Sequence, residues 1–199
     1  VAFVGTHDQP RFLTLTRDPR AARLGLLFAL TRPEVPALLY GDEVGLTGGV
    51  ADRAFEDAWP DRRCMPWDER GRDGTTRDLV RDAIRARRES AALARGDLRF
   101  LDVETPWPGA PAGDVLAFRR THGDDTVDVL LNGSASEAVL VLPGDTGPRV
   151  EPLAVLGEAV ADAAVGVVRL GPYAGVVLRR LPSTEAATLW TRMRSAGPG

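Results

Sequence analysis

The spacing of apolar positions changes once along the chain, near Gly96. Before that point two short runs, Val1-Ala2-Phe3-Val4 and Ala37-Leu38-Leu39-Tyr40, are continuously apolar, the pattern of strands buried on both faces. Between them Asp18-Pro19 has the form of a helix start, with Asp as N-cap and Pro in the first turn. Leu24, Leu27 and Phe28, flanked by Leu26 and Leu30, give that helix a broad apolar face, and Pro33 and Pro36 end it. Strand, helix and strand at this spacing predict a βαβ unit with parallel strands. A second helix is predicted from Thr75 to about Ser90, with Thr75 and Asp78 in capping-box positions and Leu79, Val80, Ala83 and Ile84 as its buried stripe. The stretch from Gly41 to Gly74 is irregular and longer than connections in compact domains usually are, which marks it as a functional loop.

Beyond Gly96 the period shortens to two. Leu98–Val103, Val115–Arg120, Thr126–Asn132, Ala138–Leu142, Val165–Leu170 and Gly175–Arg180 read as strands. Gly123-Asp124-Asp125, Pro143-Gly144-Asp145 and Gly171-Pro172 are turn signals between them. Short strands in succession predict an antiparallel β-sandwich. The tail from Ser183 to Arg194 is predicted as a last helix, with Leu189, Trp190 and Met193 on one side. The fold class is therefore α/β followed by all-β.

Composition narrows the function classes. A hydrophobic share of 44% and a charged share of 27% over 199 residues describe a globular chain able to bury a core. A net charge of −3 without any basic block argues against nucleic acid as a partner. All 25 basic residues are Arg and Ile84 is the only Ile, a bias of a G+C-rich genome that discounts Arg counts as a functional signal. Cys64 is alone, so no internal disulfide forms, and with no His near it in sequence it is not expected to be a nucleophile. No run approaches the ~20 apolar residues of a membrane span, so no membrane partner is expected, and a cytoplasmic location is taken as the default.

The candidate chemistry lies in Gly5-Thr6-His7-Asp8-Gln9, followed by Pro10-Arg11. An imidazole and a carboxylate at the C-terminal tip of a strand sit where α/β barrels carry out their reactions. Arg11 either clamps a substrate hydroxyl or pairs with a nearby acid. Asp42 and Glu43 follow the next apolar run; they are read as holding the loop, because adjacent residues point in different directions. On the long loop Phe55 and Trp59 are candidates for a substrate platform, Trp67 is read as a packing anchor, and Arg62-Arg63 as an ion-pair element that fixes the loop. Asp52, Asp57 and Asp61 lack the spacing of a calcium loop, so neither a metal nor a cofactor is expected.

Phe3-Val4-Gly5-Thr6-His7-Asp8-Gln9-Pro10-Arg11 resembles the fourth signature region of the α-amylase superfamily, the family 13 glycoside hydrolases. Pro36 to Leu46 resembles the segment around that family's eighth barrel strand, and Pro60 to Asp68 a stretch common in its maltogenic-amylase, neopullulanase and α-glucosidase-like branches. Arg88-Glu89-Ser90 with Ala91-Ala92-Leu93 and Gly96 resembles the end of the eighth helix. The resemblance implies that residues 1–96 are the last two βα units of a (β/α)8 TIM barrel, 97–182 an antiparallel β-sandwich domain and 183–199 a tail.

It also implies a retaining glycosidase or transglycosidase acting on α-glucosidic bonds of starch-derived oligosaccharides. In such enzymes a carboxylate attacks the anomeric carbon while a carboxylic acid protonates the leaving oxygen. By the motif, Asp8 is the third carboxylate, which stabilises the transition state, and His7 is its sugar-binding neighbour. The nucleophile and the acid belong to earlier strands, so the chain reads as a C-terminal portion, inactive alone, whose partner is the missing N-terminal part of the barrel. Unpaired barrel strands also make a homo-oligomer possible. Thr6 stands where the family usually has Asn. The alternative is a non-catalytic sugar-binding or scaffold homologue.

Overall fold

The structure, a computed structural model, describes residues 1–48, 62–142, 149–162, 166–181 and 191–194. The helices are α1 (Phe12–Thr16), α2 (Pro19–Thr31), α3 (Gly74–Glu89) and α4 (Ala91–Arg95). The strands are β1 (Asp97–Phe100), β2 (Val115–His122), β3 (Asp125–Asn132), β4 (Ala138–Val141), β5 (Val150–Leu156), β6 (Glu158–Asp162), β7 (Val167–Leu170), β8 (Gly175–Arg180) and β9 (Thr191–Arg194). Single 3-10 turns form at Asp42–Val44 and Glu69–Gly71.

The helix starts follow carboxylate capping. Asp18 accepts from the Arg20 N–H at 2.8 Å, and Pro19 opens α2. The Arg20 guanidinium, paired with the same carboxylate, holds its pKa down to about 2. For α3 the cap is Asp73, not the predicted Thr75. Its Oδ1 accepts from the Thr76 N–H at 3.2 Å, and its Oδ2 accepts from the Thr76 hydroxyl at 2.6 Å and the Arg23 guanidinium at 2.7 Å. One carboxylate can serve both the cap and a cross-link to α2, which a threonine hydroxyl cannot. The buried stripe of α3 is Leu79, Val80, Ala83 and Ala86; Ile84, predicted inside, is turned outward because it sits about 100° round the helix from Ala83.

The two apolar runs expected as buried strands lie parallel but join at a single bridge, Ala2 with Pro36. Ala2 N–H donates to Val35 O at 2.9 Å and Ala37 N–H to Ala2 O at 2.8 Å. Val4 and Leu38 turn to the core, while Val1, Phe3 and Tyr40 are exposed. A strand buried on both faces needs a neighbour on each, and among the described residues these runs have cover on one side only.

The strands form two antiparallel sheets, ordered β1-β2-β3-β8-β5 and β4-β7-β6-β9. Alternation along β3 sends Leu130 toward the four-stranded sheet and Val127, Val129 and Leu131 toward the helices. The first core lies between the sheets, where Leu130, Val176 and Leu178 meet Leu140, Val168 and Leu170. The second lies between the five-stranded sheet and α2, α3 and α4, where Phe118, Val129 and Val177 meet Leu27, Leu79 and Leu93. The result is mixed: a helical layer, then two antiparallel sheets.

Three strands, β5, β6 and β9, escaped the reading by pattern. β5 contains Pro152, which argues against a central strand, but β5 is the edge of its sheet and its register shifts between Pro152 and Ala154. The tail predicted as a helix instead supplies β9, which pairs along β6 with Met193 opposite Ala159; Leu189 and Trp190 lie outside the described residues. That pairing satisfies backbone groups β6 would otherwise present at an open edge. No helix among the described residues is long and apolar enough to cross a membrane.

Gly157 alone separates β5 from β6, so the chain changes sheets there, at a φ of 71°. A Cβ at this position would lie 3.2 Å from the Ala174 Cβ. Gly157→Ala is therefore expected to lower stability by about 1–3 kcal/mol, read from urea unfolding. A loss near zero would mean the crossing does not depend on the left-handed conformation.

Candidate functional site

The Gly5–Gln9 segment leaves the first apolar run as a turn, with Gln9 N–H donating to Thr6 O at 3.3 Å. The Thr6 hydroxyl accepts from the Asp8 N–H at 3.4 Å, so a threonine here still anchors the turn. His7 Nε2 and Asp8 Oδ2 are 3.2 Å apart, and the side chains are 61% and 64% exposed. A neighbouring imidazole and carboxylate open to solvent form a small hydrogen-bonding site for hydroxyls: the carboxylate accepts, and the imidazole donates or accepts according to its tautomer.

Arg62 closes one side. Its guanidinium donates to Asp8 Oδ1 at 3.0 Å and to the His7 carbonyl at 3.2 Å. The next residue is fastened as well, since the Tyr40 hydroxyl donates to the Arg63 carbonyl at 3.0 Å. Residues far apart in sequence thus form one ledge around Asp8. Cys64, on the same ledge, is an exposed free thiol.

Arg11, a predicted sugar contact, is placed beneath the site. It is 1% exposed. Its guanidinium stacks over the Tyr40 ring at 4.7 Å from the centroid and donates to the Tyr40 carbonyl and, at 3.3 Å, to Asp42 Oδ1. Its backbone N–H donates to Gly48 O at 2.8 Å. Asp42 is buried too. Burial pushes its carboxyl above the ordinary range, against the opposing pull of Arg11. Glu43 turns back to accept from the Gly41 N–H at 2.7 Å, where Gly41 takes a φ of 93°. Asp42 and Glu43 both serve the loop.

Phe55 and Trp59, the predicted platform, lie outside the described residues, as do Asp52, Asp57 and Asp61. Among the described residues no group of three or more His, Cys, Asp or Glu is placed to hold a metal ion. Trp67, read as a packing anchor, is 79% exposed, with the Arg72 guanidinium over its ring at 5.7 Å.

A cyclomaltodextrinase from Geobacillus thermopakistaniensis is 33% identical to this chain over 182 residues, covering 90% of the chain and 29% of the relative. The neopullulanase 2 of Thermoactinomyces vulgaris is 31% identical over 87% of the chain and 28% of its own length. The chain is homologous to a part of α-amylase-family enzymes. It spans less than a third of the length of these two relatives. A debranching enzyme from Nostoc punctiforme has the same fold over 88% of this chain and 32% of its own, with a TM-score of 0.66 at 25% identity. A trehalulose synthase from Pseudomonas mesoacidophila gives 0.69 at 20% identity, over 90% of this chain and 42% of its own. No protein-family model matches the chain.

Arg62 is the residue of this site whose partner the sequence did not show. It forms an ion pair, as expected, but with Asp8, which lies outside the long loop. A separation of 54 positions carries no local periodicity that could have shown this. Tyr40, read as part of a buried strand, was likewise not recognised as the stacking surface for Arg11.

Arg11→Met removes the counter-charge of a buried carboxylate and is expected to cost about 3–5 kcal/mol. The pH dependence has a definite sign. A carboxyl raised in the folded state binds its proton more tightly there than when unfolded, so its contribution is full below the ordinary 3.8 and is lost as pH rises through the raised value. The variant's deficit should thus be smallest in acid and grow with pH. Unfolding curves across that range check it, and a pH-independent deficit would contradict the assignment to Asp42.

Proposed function

We propose that this chain is the C-terminal portion of a retaining α-amylase-family glycosidase or transglycosidase that acts on α-glucosidic bonds of starch-derived oligosaccharides. Asp8 is its transition-state-stabilising carboxylate and His7 its sugar clamp. The observation that carries the reading is the exposed His7–Asp8 pair, with both polar groups 3.2 Å apart on the turn that follows the first apolar run. The similarity to a cyclomaltodextrinase, a neopullulanase and a maltogenic α-amylase supports the substrate class. As the sugar ring flattens toward an oxocarbenium ion, hydrogen bonds to its 2-hydroxyl strengthen, and a fixed anion beside the developing positive charge stabilises it.

Residues 1–96 are read as the last two βα units of a (β/α)8 barrel, 97–182 as the sandwich domain and 183–199 as a tail. The parallel bridge of Ala2 with Pro36 and the helices packed beside it are consistent with such units. The nucleophile and general acid would come from preceding chain that completes the barrel. Arg11, buried against Asp42, supports the turn rather than the sugar. Phe55 and Trp59 remain the proposed substrate platform. The second reading, a non-catalytic sugar-binding homologue, would keep the same hydroxyl-binding pair but lack the two reacting carboxylates.

The purified chain should bind maltooligosaccharides without cleaving them, and Asp8→Asn should weaken binding about 10- to 100-fold, the worth of a hydrogen bond to a charged group. Calorimetry and a reducing-sugar assay check both, and turnover by the chain alone would overturn the division of labour. With Val1, Phe3 and Tyr40 exposed, the chain is expected to self-associate or to pair with the completing segment. Sedimentation showing a dispersed monomer at all concentrations would contradict this.

A further inference from the structure

We infer that Trp67 is an aromatic platform for a glucosyl unit remote from Asp8, and therefore a residue that selects for longer oligosaccharides; the inference rests on the sugar-binding reading of His7 and Asp8. Trp67 is the most exposed aromatic side chain among the described residues, at 79%. It is not a loose surface residue. The Arg72 guanidinium lies over its ring at 5.7 Å, and Arg72 Nε donates to the Pro66 carbonyl at 2.7 Å. The following turn is fixed by Asp68, whose carboxylate accepts from the Arg70 N–H at 3.0 Å. Gly71 packs so closely on Pro66 that a Cβ there would come within 3.0 Å of the Pro66 ring. One face of the indole is thus backed by a cation on a braced turn, and the ring is otherwise open to solvent.

The position adds the second half of the argument. The segment that carries Trp67 also carries Arg62, which is bonded to Asp8, and Arg63, whose carbonyl is held by Tyr40. Trp67 lies five positions beyond Arg62, a reach of at most about 17 Å. A reach of that order leaves room for more than one glucosyl unit along the ledge. A flat indole face suits the C–H face of a pyranose, and its N–H suits a hydroxyl. A rigid exposed tryptophan on the same ledge as a hydroxyl-binding carboxylate is what a distal subsite requires.

The test compares binding of maltose and maltoheptaose by calorimetry for the full chain, Trp67→Ala, Trp67→Phe and Asp8→Asn, with thermal unfolding of each variant. The expected result is that Trp67→Ala weakens maltoheptaose binding about tenfold, leaves maltose binding and the unfolding midpoint unchanged, and that Trp67→Phe recovers most of the loss. Equal loss for both ligands, or no loss for either, overturns the platform. If Asp8→Asn abolishes binding while Trp67→Ala changes nothing, the platform fails and the sugar-binding reading stands. A chain that binds neither ligand overturns both.

Discussion

The five-stranded sheet is buried on both faces, and most of the molecule depends on that. An antiparallel sheet commonly keeps one face in water, but here α2, α3 and α4 cover one side and the four-stranded sheet the other. The cost of ordering so many residues is met only when each strand contributes apolar surface in both directions. β3 meets that demand, with its last six residues all buried. Because the helical layer and the sandwich share this sheet, the loops that carry His7 and Asp8 stand on a scaffold whose rigidity comes from β-strands more than a hundred residues away.

Arginine does the polar stitching between these layers. Arg120, fully buried on β2, donates to the carbonyl of Thr31 at 2.6 Å and of Gly96 at 2.8 Å, the residues closing α2 and capping α4. Burial, reinforced by the nearby Arg87, pulls its pKa down to about 10, and the guanidinium remains charged at neutral pH. Arg87 reaches the carbonyls of Arg32 and Glu34 beyond the same helix end. On the sheet, Arg119 and Arg180 both pair with the buried Asp128. Asp125 caps the start of α4 through Ser90 and the Ala92 N–H while facing Arg179. A planar fork of donors suits several carbonyls at once, which an ammonium group would not. The all-arginine composition, discounted as a genomic bias, is used structurally throughout.

Much of the site was visible as motif and little as geometry. His7 and Asp8 stand together because they are neighbours in sequence, so their pairing needed no fold. Arg11 was legible as a charged residue two places beyond the motif, but the choice between substrate and ion pair required Tyr40 and Asp42 to be brought beneath it. Arg62 was assigned to the loop's own stability, whereas it closes on Asp8. Trp67 was expected as a packing anchor and is exposed instead, with the Arg72 guanidinium over its ring.

The sequence by itself determined the elements whose signals are local: the Asp18-Pro19 start of α2, the end of α3 before Ser90, the strands β2, β3, β4 and β8, and the adjacent His7 and Asp8 with their family resemblance. Capping, period-two alternation and adjacency in a motif act over a few residues and survive without tertiary context. The tertiary structure alone decided what depended on a partner. β5 tolerates Pro152 because it is an edge, β9 pairs with the edge that β6 offers, and the runs at residues 1–4 and 37–40 stay short of strands because they have no second neighbour among the described residues. Which arginines lie in the core and which reaches Asp8 was decided in the same way, since a buried charge is placed by the carbonyls and carboxylates that the fold assembles around it.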